Sequence, residues 1–204
     1  MRQDEIAYIK SCRPQIDVLG MWVYLPNART GSTSITGDVL DRRVIMHHRG
    51  RRNWERVWKM VIEPNIDEAS CFATVRNPWE RVVSAWSILR QRGRIRASSS
   101  DERHSFREFV RDGGLIAQEW QHFFAPQSSS FMLDEKPIES VFVLRYETLA
   151  IDWRLVAREI DANMTLPQHN SSSHLDYPAY YDDDCMKIVE KLYAPEIYAL
   201  GYAF

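Results

Sequence analysis

The sequence has little net charge, few cysteines and no uncharged hydrophobic run at its start. Its 26 Lys and Arg residues nearly balance 28 Asp and Glu residues, which gives a formal net charge of −2. This balance argues against a general nucleic-acid or polyanion binder, so any anion site must be local. The cysteines, Cys12, Cys71 and Cys185, are odd in number and far apart, which favours structural thiols in a reduced compartment over disulfides or a metal cluster.

The first twenty residues also lack the pattern of a secretory leader or a membrane span. Charged residues recur through Met1–Gly20, so no secretory hydrophobic segment and no spanning helix is predicted there. We therefore expect a cytoplasmic protein. The chain has 204 residues, 45% of them hydrophobic, and neither an internal repeat nor a hinge rich in Gly and Pro. A single domain over residues 1–204 is predicted.

Short apolar runs alternate with segments of helical spacing, and this alternation is typical of an α/β protein with a parallel sheet. The predicted strands are Val18–Leu25, Arg43–His48, Ala69–Val75 and Val141–Tyr146. The predicted helical segments include Arg51–Ile62, Phe106–Arg111, Gln118–Phe124, Ile151–Ile160 and Asp182–Tyr198. A further helix begins at Asn77-Pro78, and its apolar face is expected to pack on the sheet. The segment 90–104, rich in Arg and Ser, is predicted to be a mobile loop.

A polar turn, Ala28–Ile35, follows the first predicted strand and precedes a helical pattern. Its hydroxyl groups and backbone N–H groups would lie at a helix N-terminus, which favours an anion, and Arg29 adds a full positive charge. The loop that binds nucleoside triphosphates needs a second glycine and a following Lys, whereas Gly31 stands alone here. A turn rich in Ser and Thr can equally be a simple helix cap, so this motif alone leaves both interpretations open.

A second polar turn is built like the first. Arg76 ends the strand Ala69–Val75, Asn77-Pro78 starts a helix, and Ser84 lies eight residues beyond Arg76. Ligands of open parallel sheets bind beyond the carboxyl ends of the strands. Two anion-binding turns at neighbouring strand ends are therefore expected to hold two phosphate groups of one nucleotide.

These two turns resemble those of the carbohydrate-type sulfotransferases that use 3′-phosphoadenosine 5′-phosphosulfate (PAPS). In that family a turn similar to Arg29–Ser34 holds the 5′-phosphosulfate, and a segment similar to Arg76–Trp86 holds the 3′-phosphate through its Arg and Ser. Weaker similarities, including Pro126-Gln127, extend over nearly the whole chain. The resemblance implies a three-layer α/β sandwich with a central parallel sheet, similar to the fold of the P-loop nucleotide hydrolases. One departure is Ala28-Arg29, where the family usually has Pro-Lys.

The resemblance also implies the residues of the site. Those expected to bind PAPS are Arg29, Thr30, Gly31, Ser32, Thr33, Ser34, Arg76, Ser84 and Tyr146. No metal is expected, because Arg29 and the surrounding donors can neutralise the leaving phosphate. The general base is expected to be His48, with His47 second and Glu63 and Glu147 as weaker candidates. The implied acceptor is a hydroxyl group of a carbohydrate or glycolipid.

Two other functions are compatible with parts of the pattern. A kinase or nucleotide hydrolase of the related P-loop architecture would need a Lys after the glycine turn and an acidic magnesium ligand, and that Lys is missing. A non-catalytic nucleotide-binding protein would keep both turns and differ mainly in the base and the acceptor cleft. The sequence leaves this second alternative open.

Overall fold

The computed structural model describes residues 22–32, 34–35, 44–46, 70–96, 98–133, 136–137, 141–160, 165–166 and 175–204. The strands within these residues are β1 (Trp22–Leu25), β2 (Val44–Met46), β3 (Ser70–Val75), β4 (Met132–Leu133), β5 (Lys136–Pro137) and β6 (Val141–Arg145). The α-helices are α1 (Pro78–Gln91), α2 (Glu102–Arg111), α3 (Gln121–Phe124), α4 (Leu149–Glu159) and α5 (Asp183–Leu200). Short 3-10 turns occupy Gln118–Trp120, Gln127–Phe131, Tyr146–Thr148 and Tyr177–Tyr180.

Four strands form a parallel sheet in the order β2-β1-β3-β6, and β4 and β5 form a separate antiparallel pair. Strand β3 lies between two neighbours, and all its residues after Ser70 are buried. An apolar run of this kind suits a parallel strand that is covered on both faces. Leu25 is in register with Ala73, and Val75 with Arg145, so these strands end at one edge of the sheet. The predicted α/β arrangement with a parallel sheet is confirmed.

Helix α4 covers one face of this sheet. Tyr24, Phe72 and Leu144 come from three neighbouring strands and share a buried cluster with Trp153 and Val156 of α4. The ring of Phe72 stacks on Tyr24 at 4.8 Å between centroids and lies 6.3 Å from Trp153. Burying each of these side chains contributes about 1.5–3 kcal/mol relative to leaving it in water. The cluster therefore ties the three strands to α4.

Helix α1 begins where the sequence predicts it, but its apolar face has a different partner. The side chain of Asn77 accepts hydrogen bonds from the N–H groups of Trp79 and Glu80, and Pro78 occupies the first helical position. The apolar face of α1 packs in a second core with α2 and α5, and the buried residues of that core include no described residue of the sheet. The prediction that this face packs on the sheet is therefore wrong. Helical spacing shows that a face is buried, but it carries no information about which element buries it.

The predicted loop at 90–104 is shorter in the structure. Helix α1 continues to Gln91 and α2 begins at Glu102, so both ends of the predicted loop are helical. Arg90 and Glu102 form an ion pair that joins these two helix ends. The side chain of Asp101 accepts a hydrogen bond from the N–H of Arg103 and caps α2. Arg is a good helix former, so an Arg-rich composition is compatible with helix at these two ends as well as with a loop.

The other predicted elements in the described part of the chain are confirmed with small changes at their ends. They are β1, β2, β3 and β6 and the helices α2, α3, α4 and α5. Among the described helices, none combines the length and the apolar character that crossing a membrane requires.

Candidate functional site

A cavity of about 210 Å³ lies at the carboxyl edge of the parallel sheet. Its lining comes from the segments that follow β1, β3 and β6, together with the end of α1 and with α3. The lining residues are Ala28, Arg29, Gly31, Ser32, Arg76, Ile88, Arg92, His122, Phe123 and Tyr146. Pockets that enclose a drug-sized ligand usually measure about 300–1,000 Å³. The cavity outlined by the described residues is therefore smaller than a pocket of that kind.

The first turn has an unusual backbone. Arg29 has φ 65° and Gly31 has φ 80°, so both lie in the left-handed region. A non-glycine residue there costs about 1–2 kcal/mol and persists only where other contacts enforce it. A Cβ atom on Gly31 would lie 2.7 Å from Cδ2 of Leu149 and 3.3 Å from Cδ2 of Tyr146. Glycine is thus required at position 31 for both its conformation and its lack of a side chain.

Buried hydrogen bonds tie this turn to β3. The Thr30 hydroxyl donates to the carbonyl oxygen of Asn27 at 3.0 Å and lies 2.6 Å from Oγ1 of Thr74. The Asn27 side chain donates to the carbonyl oxygen of Thr74 at 2.9 Å, and Oγ1 of Thr74 lies 2.9 Å from the hydroxyl of Tyr24. Thr30 and Thr74 are fully buried. The Thr30 hydroxyl therefore bonds within the interior, and the residues of this turn that line the cavity are Ala28, Arg29, Gly31 and Ser32.

The second turn presents the guanidinium group of Arg76, whose side chain is buried. Nη2 donates to Oε1 of Glu80 at 2.7 Å, and Cζ lies 4.1 Å from the ring centroid of Tyr146. A cation over an aromatic face is worth about 0.5–2 kcal/mol, with the larger values in desolvated sites. Nε of Arg76 is buried and has no hydrogen-bond partner among the described residues. Glu80 and Tyr146 thus orient the guanidinium group of Arg76, while its Nε has no partner among the described residues.

The two turns meet at the cavity. Nη1 of Arg76 donates to the carbonyl oxygen of Arg29 at 3.3 Å. The side chain of Arg29 extends to the second motif, where Nε and Nη2 donate to Oγ of Ser84 at 3.1 and 3.0 Å. Residues 47 and 55 positions apart in the sequence are thus brought into contact by the parallel register of β1 and β3.

The site is electropositive. Burial lowers the pKa of the Arg29 guanidinium from its usual value, and the nearby charges of Arg76 and, more weakly, Arg92 lower it further, while Tyr146 acts in the opposite direction. Arginine nevertheless stays protonated at neutral pH. Three guanidinium groups therefore surround one cavity, and Glu80 is paired with one of them. A bound anion would relieve the repulsion among them.

Five lining residues were not predicted from the sequence as site residues: Ala28, Ile88, Arg92, His122 and Phe123. Ile88 lies on α1, Arg92 lies at its end inside the predicted loop, and His122 and Phe123 lie on α3. Arg81, buried on α1, donates to the carbonyl oxygens of Phe123 and Ala125 at 3.0 and 2.9 Å and so holds α3 beside the cavity. No local pattern could have revealed His122 and Phe123, because a contact between helices 30 residues apart brings them to the site.

The predicted base candidates have different positions. Glu147 accepts hydrogen bonds from the N–H of Asn77 at 2.6 Å and from the hydroxyl of Tyr202 at 3.2 Å, so one of its oxygens supports the second turn and the other contacts the C-terminal segment. His47, His48 and Glu63 lie outside the described residues, as does Thr33 among the predicted PAPS-binding residues. Ser34 is described; it is buried, and its N–H donates to the carbonyl oxygen of Gly31 at 3.0 Å.

The arrangement suits an anion with several negatively charged oxygens. Arginine offers five N–H donors in a planar fork that matches phosphate and carboxylate groups. Within the ranges that the structure describes, no group of three or more His, Cys, Asp or Glu residues is placed to hold a metal ion. Arg29, Arg76 and Arg92 carry the positive charge that lines the described cavity.

A family model described as the sulfotransferase family matches residues 35–203. This range includes Arg76, Ser84 and Tyr146 and begins at Ile35, the last residue of the first turn. Searches of curated proteins and of solved structures found no match. The family match covers well over half of the chain, so the chain belongs to the sulfotransferase family.

Proposed function

We propose that this protein transfers a sulfuryl group from PAPS to a hydroxyl group of a carbohydrate or glycolipid. Membership of the sulfotransferase family supports sulfuryl transfer in general. The main support for PAPS as the sulfuryl donor is the hydrogen bond from Nη1 of Arg76 to the carbonyl oxygen of Arg29. This contact brings the two predicted phosphate-binding turns to one cavity, which a doubly phosphorylated adenosine requires. The proposal includes the three-layer fold, with the parallel sheet as its central layer.

The residues present fit such a donor. Nε of Arg76 is buried and has no hydrogen-bond partner among the described residues, so it is available to donate to a ligand. Leaving such a donor unpaired costs about 1–3 kcal/mol or more. Gly31 leaves the space beside Tyr146 and Leu149 that a side chain would fill. Arg76 and Ser84 would hold the 3′-phosphate, and Arg29 with the backbone of Gly31 and Ser32 would hold the 5′-phosphosulfate. Tyr146 would lie against the adenosine.

PAPS, when bound, supplies an activated sulfuryl group on a phosphate that can leave. The chain has to neutralise the charge that develops on that phosphate and to remove the proton of the acceptor hydroxyl. Arg29 and the backbone N–H groups of the first turn neutralise the charge on the leaving phosphate, and the proposal needs no metal for this step. We assign removal of the acceptor's proton to His48, with His47 second, because both residues directly follow β2 in the sequence. Strand β2 pairs in parallel with β1, with Met46 in register with Tyr24.

Equilibrium binding tests the donor. We expect adenosine 3′,5′-bisphosphate to bind at least about tenfold more tightly than adenosine 5′-monophosphate, because a second charged phosphate adds at least 1.4 kcal/mol in a site with three arginines. We also expect no gain from ATP with magnesium. Equal affinity for the two adenosine phosphates, or preferential binding of ATP with magnesium, would overturn the choice of PAPS and favour a kinase or hydrolase.

Turnover tests the reaction and the base. PAPS is offered with a panel of carbohydrate and glycolipid acceptors, and release of the bisphosphate is measured. We expect release that depends on an acceptor, and we expect His48→Ala to reduce kcat at least about 100-fold with unchanged bisphosphate affinity. His47→Ala is the matched control, with a smaller loss. Binding without turnover for any hydroxyl acceptor would support a non-catalytic nucleotide-binding protein instead.

A further inference from the structure

The backbone of Arg76 lies just beyond the point where the sheet can support it. Strand β3 pairs with β1 as far as Ala73 and with β6 as far as Val75. The next residue is Arg76, whose N–H and C=O groups have no neighbouring strand in the part of the chain that the structure describes. Buried backbone groups need partners, since an unpaired group costs about as much as a lost hydrogen bond. The position of this arginine therefore depends on whatever replaces the missing strand.

The primary amide of Gln127 takes that place. Oε1 of Gln127 accepts the N–H of Arg76 at 2.8 Å, and Nε2 donates to the carbonyl oxygen of Arg76 at 2.9 Å. Gln127 is fully buried. One side chain thus satisfies both backbone groups of Arg76, as a residue on a paired strand would.

The carboxylate of Glu196 on α5 fixes the orientation of this amide. Oε1 of Glu196 accepts from Nε2 of Gln127 at 3.0 Å, and Oε2 accepts from the backbone N–H groups of Gln127 and Ser128 at 2.5 and 3.3 Å. An ionised carboxylate can only accept hydrogen bonds, so the NH₂ end of the amide must face it. The oxygen of the amide is then left for the N–H of Arg76. Glu196 is 1% exposed, so water does not compete for these bonds.

We propose that Gln127 and Glu196 are positioning residues for nucleotide recognition. They hold the peptide of Arg76 so that its guanidinium group stays between Tyr146, Glu80 and the carbonyl oxygen of Arg29. A buried chain of hydrogen bonds thereby connects α5 to the phosphate-binding arginine, 120 residues earlier in the sequence. The inference rests on the proposed function, in which Arg76 contacts the 3′-phosphate.

The test compares Gln127→Leu and Glu196→Gln with the matched control Tyr193→Phe. Tyr193 is also buried on α5, and its hydroxyl donates to the carbonyl oxygen of Phe124 at 2.7 Å without contacting Arg76. The readout is the ratio of the two dissociation constants, that of adenosine 5′-monophosphate over that of adenosine 3′,5′-bisphosphate. This ratio isolates the contribution of the 3′-phosphate, and a general loss of stability leaves it unchanged.

We expect the ratio to fall about tenfold in Gln127→Leu and about threefold in Glu196→Gln, and to stay within twofold of wild type in Tyr193→Phe. Wild-type ratios in both variants would overturn the inference, and so would an equal fall in the control. If Gln127→Leu does not fold, Glu196→Gln decides alone, because it preserves the side-chain volume. A wild-type protein with no preference for the bisphosphate would instead contradict the proposed function, so the two failures are distinguishable.

Discussion

The two turns that line the cavity are held in place by different means. The second turn is supported at its own backbone, because Asn77 caps α1 and Gln127 pairs with both backbone groups of Arg76. The first turn is held through side chains that reach β3, as Thr30 and Asn27 do, while Arg29 adopts a left-handed conformation. The second turn is thus preorganised for a ligand, and the first stores strain that its tertiary contacts must offset.

The difference extends to the charges. The guanidinium of Arg76 is fixed by Glu80 and by the ring of Tyr146 before any anion binds. The guanidinium of Arg29 instead donates to Ser84, a neutral hydroxyl that belongs to the other motif. The Arg76–Glu80 contact has a charge on both partners, whereas the Arg29–Ser84 bonds have a charge on the arginine alone. We therefore expect an anion to displace the Arg29–Ser84 bonds more easily than the Arg76–Glu80 ion pair.

The largest loss of nucleotide affinity is expected when the second turn loses the charge of Arg76. Arg76→Ala should weaken binding of adenosine 3′,5′-bisphosphate about 100-fold, because charge-assisted hydrogen bonds of about 1.5–3 kcal/mol are lost in a buried site. Isothermal titration calorimetry measures this directly. The control is Arg111→Ala, which removes an ion pair with Asp182 remote from the cavity and should leave affinity unchanged. Wild-type affinity in Arg76→Ala would mean that the phosphate lies elsewhere.

A substitution at Gly31 in the first turn should mainly lower the stability of the protein. Gly31→Ala combines φ 80° with a Cβ atom 2.7 Å from Leu149, so we expect the free energy of unfolding to fall by about 2–3 kcal/mol. Gly93→Ala is the matched control, since its φ is 65° but a Cβ atom there meets nothing within 4 Å. It should cost about 1 kcal/mol. Equal losses in a denaturant titration would show that crowding at Gly31 is unimportant.

Removing the hydroxyl of Ser84, which joins the two turns, should reduce nucleotide affinity less than removing Arg76. Ser84→Ala removes the hydroxyl that we propose binds the 3′-phosphate together with Arg76, and we expect bisphosphate affinity to fall about tenfold, since a hydrogen bond to a charged group is worth about 1.5 kcal/mol. The same change removes the acceptor of both Arg29 bonds. Ser87→Ala is the control one turn later on α1, where the buried hydroxyl accepts from Gln91 at 3.2 Å. If the two variants bind alike, Ser84 does not serve the nucleotide.

The smallest loss of nucleotide affinity is expected for Arg92, which lies on the exposed wall of the cavity. Arg92→Ala should weaken bisphosphate binding about threefold, because an exposed guanidinium is screened by water and salt. The loss should shrink as the salt concentration rises. Arg94→Ala, in the same exposed segment, is the control and should have no effect beyond twofold. A loss that does not depend on salt would contradict a role through charge.

Local sequence was sufficient to predict most of the strands and helices and the position of the second turn. Apolar runs predicted β1, β3 and β6, and Asn77-Pro78 predicted the start of α1, because strand burial and helix capping depend on residues close together in the chain. The side-by-side ends of parallel strands then predicted that Arg29 and Arg76 would lie close together, and the structure brings them into contact. The resemblance to a sulfotransferase is confirmed by the family match.

What the sequence by itself determined is therefore the order of the elements, the polar turns between them and the family of the chain. Only the tertiary structure decided that the Thr30 hydroxyl faces the interior, that Gln127 and Glu196 support Arg76, and that the apolar face of α1 packs on helices rather than on the sheet. The physical reason is separation along the chain. Capping and periodicity act within a few residues, whereas burial and hydrogen bonding join groups 44 to 69 positions apart, and no local pattern encodes those partners.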